Sequence, residues 1–215
     1  TRYQKINAHH YRHIWVVGDI HGEYQLLQSR LHQLSFFPEI DLLISVGDNI
    51  DRGPESLDVL RLLNQPWFTS VKGNHEAMAL EAFETGDGNM WLASGGDWFF
   101  DLNDSEQQEA IDLLLKFHHL PHIIEITNDN IKYAIAHADY PGSEYLFGKE
   151  IAESELLWPV DRVQKSLNGE LQQINGADYF IFGHMMFDNI QTFANQIYID
   201  TGSPNSGRLS FYKIK

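Results

Sequence analysis

The chain has 215 residues, 43% of them hydrophobic, and 30 acidic against 15 basic residues give a formal charge of -15. That length supports one sizeable core and reads as a single domain over 1–215, while the negative charge opposes nonspecific attraction to nucleic acid or anionic membranes. Without cysteine there is no disulfide, no apolar stretch reaches bilayer length, and Thr1-Arg-Tyr-Gln-Lys lacks a signal-peptide core. A cytoplasmic protein with neither nucleic acid nor membrane partners is expected, and the opening Thr suggests that a few residues precede it.

Ile14-Trp-Val-Val17 is a short apolar run rich in β-branched residues and reads as a buried strand. Residues 23–34 follow with a helical stripe at Leu26, Leu27, Leu31 and Leu34, and Pro38 closes the connection. Leu42-Leu-Ile-Ser-Val46 is the second strand. Pro54 opens a helix carrying Leu57, Leu60, Leu62 and Leu63, and Phe68-Thr-Ser-Val71 makes the third strand. A third helix follows Asn74 through Met78, Leu80 and Phe83. The glycine-rich stretch 86–96 interrupts regular structure as a loop with a short helix, the best candidate for substrate contact outside a metal shell. Ser105 caps a helix reaching His118. Strands then dominate: a hairpin of 123–126 and 132–136, then 179–182, 190–193, 197–200 and 209–214. Strand-helix units followed by strands imply an α/β protein in which two sheets pack face to face with helices outside.

Polar motifs follow each of the first three strands: Gly18-Asp-Ile-His-Gly22, Gly47-Asp-Asn-Ile-Asp-Arg-Gly53 and Gly73-Asn-His-Glu76. Ligands bind at the carboxyl ends of strands in open α/β sheets, where loops converge on a rigid base. Asp19 and His21, two apart on extended backbone, face one side and can grip one cation. The Asp48 carboxylate can bridge two cations, Asn74 offers a neutral oxygen, and His137 and His184 close two later strands as imidazole ligands. Mixed oxygen and nitrogen donors suit manganese, iron or zinc rather than calcium. Two such ions about 3.5–4 Å apart can hold a hydroxide and stabilise both oxygens of a phosphoryl displacement. Each motif alone is often only an Asx turn; their joint occurrence points to a two-metal phosphoesterase. His9, His10 and His13 lack strand-end geometry and are assigned surface or packing roles, the Trp residues and Phe99-Phe100 core or loop packing, while His118-His119 suits a helix C-terminus.

In this order and spacing the motifs, with His137-Ala and Gly183-His, resemble the phosphoprotein phosphatase family of metal-dependent serine/threonine phosphatases over nearly the whole chain. The small bacterial and phage-type members are nearest, through Trp15-Val-Val-Gly-Asp19 and Ile181-Phe-Gly-His184. The resemblance implies a metallophosphoesterase β-sandwich flanked by helices. It assigns Asp19, His21 and Asp48 to one ion and Asp48, Asn74, His137 and His184 to the other, with manganese the leading metal. It makes His75 the general acid, Asp51 its orienting carboxylate and Arg52 a phosphate ligand beside Asn74. Phosphoproteins or phosphopeptides are the implied substrates, hydrolysed by a hydroxide between the ions with no phosphoenzyme. Two departures stand out: Val160 occupies the place of a second phosphate-binding arginine, with Arg162 two positions later as its expected substitute, and Met185 follows His184 where the family has Thr. Dinucleoside polyphosphate hydrolases share the metal motifs and are the rival reading, opposed by Asp51 and Glu76. An inactive phosphoprotein-binding module, with Val160 as its mark, is the third.

Overall fold

The apolar runs alternate between two faces, and the computed structural model, which describes residues 1–215, stacks them as a two-sheet sandwich. One sheet has the order β10-β2-β3-β4, with β2 (Ile14–Val17), β3 (Leu42–Ser45) and β4 (Phe68–Ser70) parallel and β10 (Phe211–Lys213) antiparallel at the edge. The other has the order β1-β5-β6-β7-β9-β8, from β1 (Tyr3–Asn7), β5 (Ile123–Asn128), β6 (Ile131–Ile135), β7 (Tyr179–Phe182), β9 (Gln196–Tyr198) and β8 (Gln191–Phe193). Between the sheets Ile14, Val16, Leu42 and Ile44 meet Ile124, Ile126, Ile135, Ile181 and Ile197. Each such side chain taken from water contributes about 1.5–3 kcal/mol.

The opposite faces are covered by helices, which is why these strands are apolar on both sides. Leu27 and Leu31 of α1 (Tyr24–Gln33) and Val59 of α2 (Ser56–Arg61) pack on Val17 and Leu43. Leu156 and Leu157 of α6 (Ser154–Leu157) and Val163 of α7 (Asp161–Leu167) cover Ala134, Phe180 and Phe182. A third cluster joins α2 to α3 (Asn74–Thr85), α4 (Asn89–Ala93) and α5 (Asp104–Leu115) through Leu57, Leu60, Met78, Trp91 and Leu113. A last short helix, α8 (Ser203–Ser206), precedes β10. No helix is long and apolar enough to cross a membrane.

Several expectations shift. The cap of α5 is Asn103, not Ser105: its side chain accepts the Glu106 N–H at 3.0 Å while Glu106 accepts the Asn103 N–H at 3.1 Å, a reciprocal box that satisfies two otherwise orphaned donors. The hairpin turn is only Asp129-Asn130, both at positive φ (49° and 65°), so β5 runs two residues further than read and β6 begins one residue earlier. Strand β1 was not anticipated, because only Tyr3 and Ile6 of its five residues turn inward even partly. It pairs parallel with β5. Helices α6 and α7 also interrupt the half that reads as mostly strand.

Strand direction positions the site. β2, β3 and β4 in one sheet are mutually parallel, as are β6, β7 and β9 in the other, and the loops leaving their carboxyl ends meet at one rim.

Candidate active site

The rim gathers Asp19 and His21 after β2, Asp48 after β3, Asn74 and His75 after β4, His137 after β6, His184 after β7 and Asp200 after β9. All are buried except His184, which is partly so. Two groups of possible metal donors, His21 with Asp48 and His75, and Asp48 with His137 and His184, share the one carboxylate. Asp48 Oδ1 accepts the His75 backbone N–H at 3.0 Å, from the start of α3. Its Oδ2 is left central, 3.4 Å from His137 Nε2, 3.8 Å from His21 Nε2 and 3.9 Å from His75 Nε2. Asp19 joins through Oδ2, 3.9 Å from His21 Nε2.

Backbone geometry here departs from the simple strand-end picture. His21 has φ 46°, so strand alternation does not carry it to the side of Asp19; a left-handed turn does. Five of the nine non-glycine residues at positive φ belong to this rim: His21, Asp48, Asp51, Arg52 and His184. Such conformations cost about 1–3 kcal/mol each and persist only where surroundings enforce them. The enforcement is visible: the His21 and Gly22 N–H groups bond the Asp48 and Asn49 carbonyls at 3.0 and 2.8 Å. Glu76 then locks the β3 and β4 loops together, accepting from Asp48 N, Asn49 N, Asn49 Nδ2 and Gly73 N at 2.7–3.2 Å. Gly47, at φ 94°, could carry no Cβ, which would fall 2.6 Å from the Gly73 nitrogen.

Donor chemistry tests whether cations fit. His137 Nδ1 bonds the Val46 carbonyl at 2.7 Å and His21 Nδ1 the Ile50 carbonyl at 2.8 Å, which leaves each Nε2 as the inward lone pair. His137 Nε2 then faces the Asn74 oxygen at 2.8 Å, and His184 Nδ1 faces the same oxygen at 3.0 Å. Lone pairs converging on one buried point need a positive charge among them, and a divalent cation suits the set. In the protein alone a proton serves: burial disfavours charge on His137, but Asp48 and Asp19 outweigh it and hold the ring up at about 10. Burial and the charge of His137 push His184 down to about 4. Burial, with Asp200 and Asp48 nearby, raises Asp19 well above the carboxylate range.

His75 Nδ1 lies 2.7 Å from Asp51 Oδ2. Burial disfavours its charged form, but Asp48 and Asp51 together raise its pKa above the ordinary value, which favours the protonated ring. Arg52 is exposed and reaches over the rim, its Nη1 3.3 Å from His21 Nε2.

Arg162, the expected substitute for the missing arginine, has its close hydrogen bonds within the protein. It is buried, and its Nε donates to Asp139 at 2.8 Å while Nη2 donates to the carbonyls of Tyr140 and Gly142 at 2.9 and 2.7 Å. Most of its fork is thus engaged in holding the 139–142 loop, and Nη1 has only a 3.4 Å contact, to Gln172 Oε1. The stretch 86–96 is a largely exposed loop that contains the short helix α4, while buried Trp91, and Trp98 just beyond the stretch, donate to Asp51. Sequence reading gave these indoles packing roles, used Glu76 only as part of its motif, and passed over Asp200. Asp200 did carry a signal, an acid closing the run Ile197-Tyr-Ile.

The model for calcineurin-like phosphoesterases matches residues 12–187, which contain every rim residue except Asp200. The chain belongs to that family. It is 61% identical to serine/threonine-protein phosphatase 2 of Salmonella typhimurium, covering 100% of this chain and 98% of that protein. It is 44% identical to serine/threonine-protein phosphatase 1 of the same organism, covering 99% and 97%. Among solved structures, a putative diadenosine tetraphosphatase superposes with a TM-score of 0.69 over 99% of this chain and 93% of the other; at 23% identity it speaks for the fold alone. The phosphoesterase rim is thus a cluster of His, Asp and Asn donors compatible with a dinuclear metal site, with the hydrogen-bonded His75–Asp51 pair beside it.

Proposed function

We propose that this phosphoesterase is a metal-dependent serine/threonine protein phosphatase, with residues 1–215 acting as one catalytic domain on phosphoproteins in the cytoplasm. The observation that carries it is the buried His75–Asp51 pair, 2.7 Å apart, beside a donor cluster shared through Asp48. The full-length identity to two bacterial protein phosphatases supports the substrate class. Asp19, His21 and Asp48 would hold one cation and Asp48, Asn74, His137 and His184 the second, with manganese preferred. When bound, such a pair supplies a nucleophile from water near neutral pH and neutralises phosphoryl charge.

The chain's own residues do the rest. Arg52 presents a planar fork of donors to the phosphoryl oxygens and turns the ester toward the rim, beside the Asn74 amide. A seryl alkoxide is a poor leaving group, so His75 delivers a proton from Nε2 as the P–O bond breaks, and Asp51 on Nδ1 stabilises the charged ring and fixes its aim. The rival dinucleotide hydrolase has a phosphate leaving group that needs no such proton, so the Asp51–His75 pair favours monoester chemistry.

Phosphate release from a phosphoserine peptide and from diadenosine tetraphosphate, with manganese and with chelator, tests this. Metal-dependent peptide turnover that falls about 10²–10⁴-fold in His75→Asn is expected. Efficient dinucleotide cleavage with negligible peptide turnover would refute it.

A further inference from the structure

Asp51 is completely buried, 0% exposed, and receives more donors than its partnership with His75 requires. Trp91 Nε1 lies 3.0 Å from its Oδ1 and 3.1 Å from its Oδ2. Trp98 Nε1 lies 2.7 Å from Oδ1. His75 Nδ1 holds Oδ2 at 2.7 Å. An indole N–H can only donate, so two of them aimed at one carboxylate specify an acceptor there and nothing else. Packing alone does not demand this aim, since the rings already meet edge to face with centroids 6.2 Å apart.

The segment that carries the indoles is seated for the purpose. A Cβ on Gly96 would fall 2.6 Å from the Trp91 ring, so only glycine lets the backbone pass beneath the indole. Gly95, at φ 107°, lies against Arg52, and its carbonyl accepts the Arg52 N–H at 3.3 Å. The stretch is therefore clamped onto Asp51-Arg52.

We propose that Trp91 and Trp98 are positioning residues for proton transfer: their indole N–H groups fix the Asp51 carboxylate so that Oδ2 stays on His75 Nδ1 and His75 Nε2 faces the leaving oxygen. This rests on His75 being the proton donor. The indoles also compensate the buried negative charge without supplying a cation that would compete with His75 for it. Replacing Trp with Phe keeps an aromatic ring in the pocket and removes the donor.

The test compares two leaving groups. Trp98→Phe, Trp91→Phe, the double variant and His75→Asn are assayed with manganese on a phosphoserine peptide, whose alkoxide needs a proton, and on dinitrophenyl phosphate, whose phenolate needs none. Each single Trp variant should lower peptide kcat about tenfold and the double about a hundredfold, with peptide KM and aryl kcat within about threefold, inside the range lost with a general acid. Trp98 is only half-buried, so Trp98→Phe serves where Trp91→Phe folds poorly. Equal losses on both substrates, or none on either, overturn the inference, since a structural role would move both rates together. If His75→Asn also lacks the bias, the general-acid reading falls and this inference with it; a biased His75→Asn beside unbiased Trp variants refutes the inference alone.

Discussion

Glu76→Gln is the most informative perturbation of the rim, because it changes one oxygen for an NH₂ group at constant shape. Glu76 is 0% exposed, and its Oε2 accepts from Asp48 N and Gly73 N at 3.0 and 2.9 Å while Oε1 accepts from Asn49 N and Nδ2 at 2.7 and 3.2 Å. Burial and the neighbouring Asp48 raise its pKa, yet every partner is an N–H donor, which a carboxylate satisfies and a protonated acid does not. An amide keeps two of the four bonds and turns an NH₂ toward the other two donors. Two bonds to a charged acceptor amount to about 3–6 kcal/mol. Relief of burial and of repulsion from Asp48 offsets part of this, leaving a net loss of about 2–3 kcal/mol. Urea unfolding in chelator measures it directly, and manganese titration of the same variant should show weaker binding, since Asp48 takes its left-handed conformation partly from this clamp. A midpoint within about 0.5 kcal/mol of wild type, the scatter expected of neutral surface changes, would refute the reasoning by showing that Glu76 is not an ionised clamp.

Arg162→Ala should destabilise by about 3–5 kcal/mol, as for a broken buried pair that strands Asp139; its peptide KM should stay near wild type, whereas Arg52→Ala should raise KM, and steady-state kinetics with thermal melts separate the two. Chelation should lower Tm, because Asp19, Asp48 and Asp200 then crowd together without a cation, and manganese at a hundred times its Kd should restore about 2.7 kcal/mol, read by scanning calorimetry. Glu153 bonds His122 and Lys72, and these bonds outweigh its burial and hold it down at about 2 against an ordinary 4.5. A depressed carboxyl stabilises above its unfolded value and loses that contribution as pH falls through the folded one. The stability gap between wild type and Glu153→Gln should therefore be constant above about pH 4.5 and close towards pH 2, as urea unfolding at stepped pH would record.

Most of the rim cluster was legible in the chain because strand carboxyl ends are local events. A β-branched run followed by Gly-Asp, Gly-Asn-His or Gly-His places a donor at a sheet rim whatever the rest does, so Asp19, Asp48, Asn74, His137 and His184 could be named in advance. The three parallel strands of the first third and α1 to α3 were readable for the same reason, from periodicity over a few residues. His21 reached its place by a left-handed turn rather than by alternation, an outcome that depends on the Asp48 carbonyl across the loop.

Tertiary structure decided what side chains do when partners are distant in sequence. Arg162 reads as a phosphate ligand from its spacing to Trp158, but Asp139 and two carbonyls reach it first. The indoles of Trp91 and Trp98 read as packing, since aromatic side chains usually are, and only the fold turns both toward Asp51, 40 and 47 positions away. Strand β1 is too polar to announce itself and exists because β5 offers it an edge. Periodicity and strand-end motifs thus determined the layers and most of the polar side chains at the rim, because each depends on neighbours a few residues apart. The aim of His75 and the partners of Arg162 waited on the folded chain, because a hydrogen bond is directional and its partner can come from anywhere.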